Sequence, residues 1–167
     1  QLATEFFFAH GDMLLSNQCV VISSPYNHLP NAATVMTKHF IDRLNELLVF
    51  TQGAHVEYTV VHRKVSYTAD YGFLSKEKRR GLIDNDTFHF NREFVKGKLL
   101  IFVDDVRITG THEEKLIEVM QSDGIDNEAL FLYFASYTGN QPDIEAALNF
   151  AAVSNMADFV ALTKSPN

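Results

Sequence analysis

A Thr-Gly-Thr turn follows the most apolar stretch of the sequence, in the run LLIFVDDVRITGTHEEKL over residues 99–116. Gly110 lets the backbone turn tightly and approach a ligand closely. Backbone N–H groups in such a turn, beside the start of a helix, form an anion site. The hydroxyls of Thr109 and Thr111 add further donors. The spacing of these residues therefore predicts a site for a phosphate-like anion.

The two adjacent carboxylates of this run, Asp104 and Asp105, would repel a bound anion, so they must serve a different part of the ligand. Carboxylates accept hydrogen bonds from sugar hydroxyls and attract Mg²⁺ together with its waters. A phosphorylated ribose meets both requirements, and we predict this class of ligand. The alternative is that both acids belong to a solvated turn that caps a helix.

Strands and helices alternate along the rest of the chain. Apolar patterning predicts strands over 19–24, 55–64, 98–105, 128–136 and 158–164, and helices over 32–50, 112–124 and 142–154. The alternation predicts an α/β fold, a mainly parallel twisted sheet flanked by helices. Ligands of such sheets bind beyond the carboxyl ends of the strands. The polar loops 24–30, 63–97 and 104–112 meet at that edge, and the third contains the acid pair.

The length of the chain fits a single domain over residues 1–167. Within it, residues 66–97 are long, polar and weakly patterned, with a short hairpin predicted around 87–94. A segment of this length in a compact domain is usually functional, and we interpret it as a flexible lid. Residues 62–98 hold nine Lys or Arg against five acids, which would attract an anionic ligand.

Composition excludes several classes of protein. The net charge of −7 argues against general nucleic-acid binding. No apolar run approaches the roughly 20 residues that a membrane-spanning helix needs. The single cysteine, Cys19, has no partner in this chain for a disulfide, and a reducing, cytoplasmic location is expected.

The run LLIFVDDVRITGT resembles the phosphoribosyl pyrophosphate (PRPP) motif of the type I phosphoribosyltransferases. In that family a hydrophobic strand precedes two acids, a short variable run and Thr-Gly or Gly-Thr. The resemblance is to the orotate enzymes and to divergent, ComF-like members. It implies the family's α/β fold with a small variable hood, for which residues 1–18 are the candidate segment. It also implies that Asp104 and Asp105 hold the ribose hydroxyls and, directly or through water, Mg²⁺.

The resemblance assigns roles to three further groups of residues. The 5-phosphate would be wrapped by Ile108, Thr109, Gly110, Thr111 and His112. The strand end VVHRK is similar to the place where the orotate enzymes open a mobile catalytic loop, so Arg63 and Lys64 would contact pyrophosphate. The segment SSPYNHLP lies where the family's pyrophosphate loop follows the first strand, although it lacks the usual glycines. Its candidate residues are Ser24, Pro25, Tyr26 and Asn27.

Two classes of function follow from the resemblance. One is an enzyme of nucleotide metabolism, a glycosyltransferase that moves phosphoribose from PRPP to an unidentified nitrogenous base and releases pyrophosphate, with Mg²⁺ as cofactor. The other is a non-catalytic regulatory module that binds PRPP or a nucleotide. The basic lid favours the enzyme, and the unusual pyrophosphate loop favours the module. The expected partners are PRPP and a small base or nucleotide, without nucleic acid or membrane, and a homodimer is among the expected assemblies.

Overall fold

A computed structural model describes residues 1–24, 32–64, 87–89 and 91–139. The helices are α1 (Leu2–Ser16), α2 (Ala32–Phe50), α3 (Arg92–Val95) and α4 (Thr111–Ser122); the strands are β1 (Cys19–Ser23), β2 (Glu57–Val60), β3 (His62–Lys64), β4 (Thr87–His89), β5 (Leu99–Arg107) and β6 (Ala129–Ser136). Residues 1–136 form one compact unit and residues 137–167 a second. The predicted helix 142–154 and strand 158–164 belong to the second unit and lie outside the described residues.

Four strands form a parallel sheet in the order β2-β1-β5-β6. In register, Cys19 of β1 faces Leu99 of β5, and Phe102 of β5 faces Phe131 of β6. From β1 the chain moves outward to β2 and then returns to the other side of β1 for β5 and β6. The order therefore reverses between β1 and β5, and a ligand of such a sheet binds at the carboxyl ends of those two strands.

Helices cover both faces of this sheet, as the α/β prediction requires. On one face, α1 and α2 pack on Val21, Ile101 and Val103 through buried residues that include Phe6, Phe40, Leu44 and Leu48. On the other face, Leu116 and Met120 of α4 pack with Val20, Ile22, Leu100 and Phe102. Because β1 and β5 are covered on both faces, their sequences are continuous apolar runs rather than alternating ones. The predicted fold class is confirmed.

The predicted strand 55–64 is two strands in different sheets. Its first part, β2, pairs with β1 in parallel, whereas β3 pairs with β4 in an antiparallel ribbon. The short hairpin predicted around 87–94 was wrong for the same reason: β4 pairs with β3 rather than with its own neighbours in sequence. The segment after β4 forms α3, which begins where the Asn91 side chain accepts a hydrogen bond from the Phe94 N–H at 3.1 Å.

Strand β4 and helix α3 lie inside the predicted lid, 66–97, while residues 65–86 between β3 and β4 lie outside the described ranges. That the segment is a flexible lid stays a prediction. The candidate hood, residues 1–18, contains α1, a helix that the sequence patterning missed. Its Phe6 ring meets the Phe40 ring edge-on at 5.7 Å between centroids. A role for this segment over the site stays a prediction. None of the helices in the described ranges is long and apolar enough to cross a membrane.

Candidate functional site

Strand β5 continues past the acid pair to Arg107, whereas the predicted strand ended two residues earlier, at Asp105. Its pairing with β1 stops at Val103, where the last ladder bond runs from the Ser24 N–H to the Val103 carbonyl at 3.2 Å. Beyond that point β5 pairs only with β6, and Asp104 lies opposite Tyr133. Asp104 is therefore the first residue of β5 that has no β1 neighbour, and it lies where the strand order reverses.

The two acids of the motif belong to opposite faces of the sheet, because side chains alternate along a strand. Asp104 shares the face of Phe102, under α4, and it lines a small pocket with Ser24 and His112. Asp105 shares the face of Val103, on the side of α1 and α2, and it does not line that pocket. The prediction treated the pair as equivalent, whereas the strand gives them different surroundings.

Asp104 is held by donors from three parts of the chain. His112, in the first turn of α4, places Nδ1 3.1 Å from Asp104 Oδ2, and the same nitrogen lies 3.4 Å from Ser24 Oγ. The Asp105 N–H donates to Asp104 Oδ1 at 3.0 Å. The floor of the pocket is aromatic, since the Phe102 and Phe131 rings stack with centroids 4.9 Å apart. A carboxylate that is held in place over an apolar floor is suited to accept hydrogen bonds from a ligand.

The pKa values of the two acids move in opposite directions. Burial opposes ionisation of Asp104, but hydrogen bonding and charge from His112, together with the Asp105 N–H and the Ser24 hydroxyl, outweigh it and lower the pKa of Asp104. Burial raises the pKa of Asp105, where the charge of Asp104 adds to the effect and the Val106 N–H opposes it. Asp104 is thus the more readily ionised acid of the pair.

The two acids are expected to affect acid stability with opposite signs. A carboxyl whose pKa is lowered by folding stabilises the protein above its unfolded pKa, near 3.8, and this contribution is lost as the pH falls through the folded value. Asp104→Asn should therefore reduce the loss of stability that occurs as the pH falls. A carboxyl with a raised pKa stabilises the folded protein at low pH, so Asp105→Asn should increase that loss.

Urea unfolding midpoints between about pH 6 and about pH 2 measure both slopes. Asp126→Asn is the matched control, because Asp126 is exposed and precedes β6 at the opposite edge of the sheet. Equal slopes in the variants of Asp104 and Asp105 would contradict the opposite directions of their pKa shifts.

The turn between β5 and α4 has the features that an anion site requires. Gly110 has a φ of 78°, in the left-handed region, and occupies the position before the first residue of α4. The Thr109 and Thr111 hydroxyls lie 2.9 Å apart, and Thr109 Oγ1 also accepts from the Thr111 N–H at 3.4 Å. The first N–H groups of a helix have no partners within the helix. Of the predicted phosphate residues, the structure brings His112 to Asp104 and leaves Ile108 half-buried in the turn.

A cluster beside this turn was not predicted. Glu113 Oε2 accepts from Arg107 Nε at 3.1 Å and from the Tyr133 hydroxyl at 3.0 Å. The hydrogen bond and the charge of Glu113 raise the pKa of Arg107. Burial, followed by the hydrogen bond to Glu113, raises the pKa of Tyr133 well above its usual value. Tyr133 reaches the cluster because it lies opposite Asp104 in register, a relation that no local sequence pattern shows.

The remaining predicted residues are placed less completely. Pro25, Tyr26 and Asn27 lie outside the described ranges, whereas Ser24 lies in the pocket. Arg63 and Lys64 are in β3, and their backbone pairs with Phe88 and Thr87 of β4. The structure thus connects the predicted catalytic pair to the base of the lid segment.

The carboxylate of Asp104 fits Mg²⁺ in the form that this ion usually takes with phosphates. Mg²⁺ keeps several waters and needs one or two protein carboxylates when substrate phosphates complete its shell. Asp104 offers one such carboxylate in the pocket, whereas Asp105 does not line it. Within the described ranges, no three His, Cys, Asp or Glu side chains converge as a metal-binding group. The residues therefore suit an ion that arrives with a diphosphate.

Comparisons with solved structures return phosphoribosyltransferases at low similarity. A hypoxanthine phosphoribosyltransferase from Staphylococcus aureus has 10% identity and a TM-score of 0.47, with 81% of this chain and 71% of that chain covered. A purine phosphoribosyltransferase from Pyrococcus horikoshii has 17% identity and a TM-score of 0.41, with 81% and 83% covered. No curated protein matches the sequence.

The family comparison is the decisive one. The profile described as PRTase ComF-like matches residues 1–167, which is the whole of this sequence. The chain belongs to the ComF-like family of phosphoribosyltransferases.

Proposed function

We propose that this protein transfers phosphoribose from PRPP to a nitrogenous base and releases pyrophosphate. The observation that carries the proposal is the position of Asp104, ionised in a pocket where the strand order reverses, next to the glycine turn at the start of α4. A site for a sugar phosphate needs an acceptor for the sugar hydroxyls and an anion site for the phosphate. The two must be as far apart as the hydroxyls and the phosphate are in the ligand. Membership of the family supports the same chemistry.

The residues of the pocket orient the sugar in this proposal. Asp104 accepts from a ribose hydroxyl, and the 5-phosphate takes the N–H groups of residues 110–112 and the hydroxyls of Thr109 and Thr111. His112 holds the Asp104 carboxylate through Nδ1 while its own position in α4 adjoins the phosphate. The ribose is thereby fixed at both ends, which lowers the entropic cost of reaching the transition state.

The bond from C1 of the ribose to pyrophosphate breaks with its electron pair on the leaving oxygen, and a bond from C1 to a nitrogen of the base forms. Negative charge grows on pyrophosphate during this step, and Arg63 and Lys64 are the proposed cations that stabilise it. Mg²⁺, when it is bound, supplies further neutralisation of the diphosphate. The predicted lid, residues 66–97, follows Lys64 closely in sequence and is proposed to exclude water from the reactive carbon.

The second candidate is a regulatory module that binds PRPP without turnover. The observation that favours it is the sequence PYNHLP over residues 25–30, which has prolines at both ends and no glycine. A pyrophosphate loop without glycine offers fewer backbone conformations for close approach. The two candidates agree on binding and differ in turnover.

A two-step measurement tests the proposal. Calorimetric titration with PRPP in the presence of Mg²⁺ tests the site, and a screen of purine, pyrimidine and other nitrogenous bases with PRPP, read as released pyrophosphate, tests the transfer. We expect binding, and base-dependent release with at least one base. Binding without release from any base would favour the regulatory module, and failure of the protein to bind PRPP would overturn both candidates.

A further inference from the structure

The proposed phosphate site has an electrostatic problem that one side chain can solve. Residues 99–114 contain four carboxylates and a single Lys or Arg, which is Arg107. A phosphate dianion at the start of α4 would meet repulsion from these acids, and partial charges on N–H groups offset only part of it. A full positive charge in the turn would offset the rest.

Arg107 is held over that turn by two contacts. Its Nε donates to Glu113 Oε2, which also accepts from Tyr133. A Cβ placed on Gly110 would lie 2.8 Å from Arg107 Nη2 and 3.2 Å from its Cζ, so the guanidinium lies directly against the glycine. The absence of a side chain at Gly110 is what makes room for it.

The contacts of Arg107 leave the far end of the guanidinium available to a ligand. Its side chain is 45% exposed, and Nε makes its hydrogen bond to Glu113. Glu113 and Tyr133 hold this guanidinium on one side, and its exposed part faces solvent beside the turn. A guanidinium fixed in this way can present N–H donors to phosphate oxygens.

We propose that Arg107 is a binding residue for the phosphate monoester of the ligand, and that Glu113 is the positioning residue that aims it. The inference rests on the proposed function and adds to it a side-chain cation in the phosphate site. Glu113 then serves binding although it is an acid, because its charge is engaged by Arg107 and its oxygen is shared with Tyr133.

The test compares ribose 5-phosphate with ribose, measured by NMR titration at one ionic strength. Arg107→Gln should weaken ribose 5-phosphate binding by at least about tenfold, the scale of a lost charge-assisted hydrogen bond, and should leave ribose binding unchanged. Arg107→Lys keeps the charge but loses the forked guanidinium donors. Its affinity for ribose 5-phosphate should lie between those of the wild type and Arg107→Gln. Arg92→Gln is the matched control, since Arg92 forms an exposed ion pair with Asp123 at 2.6 Å, and it should bind both ligands as the wild type does.

A double-mutant cycle tests the role of Glu113. Glu113→Gln should lower ribose 5-phosphate affinity in the wild-type background and should have no effect when Arg107 is already Gln. A merely structural role of Glu113 would give an equal effect in both backgrounds. That result would show that Glu113 does not act through Arg107.

The outcomes separate this inference from the proposed function. If the wild type binds ribose 5-phosphate and Arg107→Gln binds it equally well, the inference is wrong and the proposed function stands. Tighter binding by Arg107→Gln would also overturn it, because the guanidinium would then occupy the place of the anion. If the wild type does not prefer ribose 5-phosphate over ribose, the phosphate site itself is absent and both fall.

Discussion

Replacing Gly110 with Ala is expected to weaken ribose 5-phosphate binding by at least about tenfold, while it costs no more stability than the same change at Gly124. Both glycines have positive φ, 78° and 66°, so both alanines pay the left-handed backbone cost of about 1–2 kcal/mol. Only the new Cβ at position 110 collides with Arg107, because nothing lies within 4 Å of the corresponding point at Gly124.

The collision is expected to act on binding rather than on folding. The atoms that a Cβ would meet are at the far end of a flexible, half-exposed side chain, which can swing aside at small cost. The swing breaks the bond from Arg107 to Glu113, and the added methyl group narrows the turn. Gly110→Val, which is β-branched at positive φ, should show a larger loss of both binding and stability.

Two measurements on each variant check this expectation. Urea unfolding gives the free energy of unfolding, and titration with ribose 5-phosphate gives the affinity. Gly124→Ala should have the same free energy of unfolding as Gly110→Ala. Its affinity for ribose 5-phosphate should equal that of the wild type. Unchanged ribose 5-phosphate affinity in a folded Gly110→Ala protein would remove the turn from the binding site.

Sequence reasoning succeeded where the signal is local. Helix α2 was predicted at its observed bounds because Phe40, Leu44 and Leu48 recur at helical spacing and are all buried. The run from Leu99 was predicted as a buried strand because its apolar residues are continuous, and the structure places it inside the sheet with both faces covered. The order of strands and helices then sufficed to put the acid pair toward the carboxyl ends of the parallel strands.

Two of the failures share a physical cause, since each depends on contacts between residues far apart in sequence. The end of β5 at Arg107 is set by its partner β6, which continues to Ser136, and the residues after Asp105 look like a turn when they are taken alone. The ribbon joins His62–Lys64 to Thr87–His89 across a long insertion. Helix α1 was missed because its apolar residues lack a clear period, and its backbone departs from helical geometry at His10.

The site shows the same division between local and distant information. The turn residues and the acids were found from one continuous motif. The difference between Asp104 and Asp105 follows from the alternation of side chains along β5. The predicted strand already included both acids, but this alternation was not used to assign them to opposite faces. The cluster of Arg107, Glu113 and Tyr133 required the register of β5 with β6, and hydrophobic patterning does not contain it.

Substitutions of Asp104 and Lys64 are expected to have large effects on different quantities, PRPP affinity and turnover. Asp104→Asn keeps the volume of the side chain but removes its charge, so a ribose hydroxyl loses its charged acceptor. PRPP affinity should fall by about 1–3 kcal/mol, or about 5- to 150-fold. The fold should persist, because the new amide oxygen can still accept from the Asp105 N–H. Asp126→Asn, exposed at the far edge of the sheet, should leave PRPP affinity unchanged.

Lys64→Ala should act on turnover instead. The negative charge of pyrophosphate grows as its bond to C1 breaks, so a cation there stabilises the transition state more than bound PRPP. We expect kcat to fall by about 100-fold or more, with PRPP affinity changed much less. Lys96→Ala, an exposed lysine that follows α3, should leave both quantities unchanged. A loss confined to affinity in Lys64→Ala would make Lys64 a binding residue. Because a regulatory module has no turnover to lose, that result, together with no pyrophosphate release by the wild type, would favour the module over the enzyme.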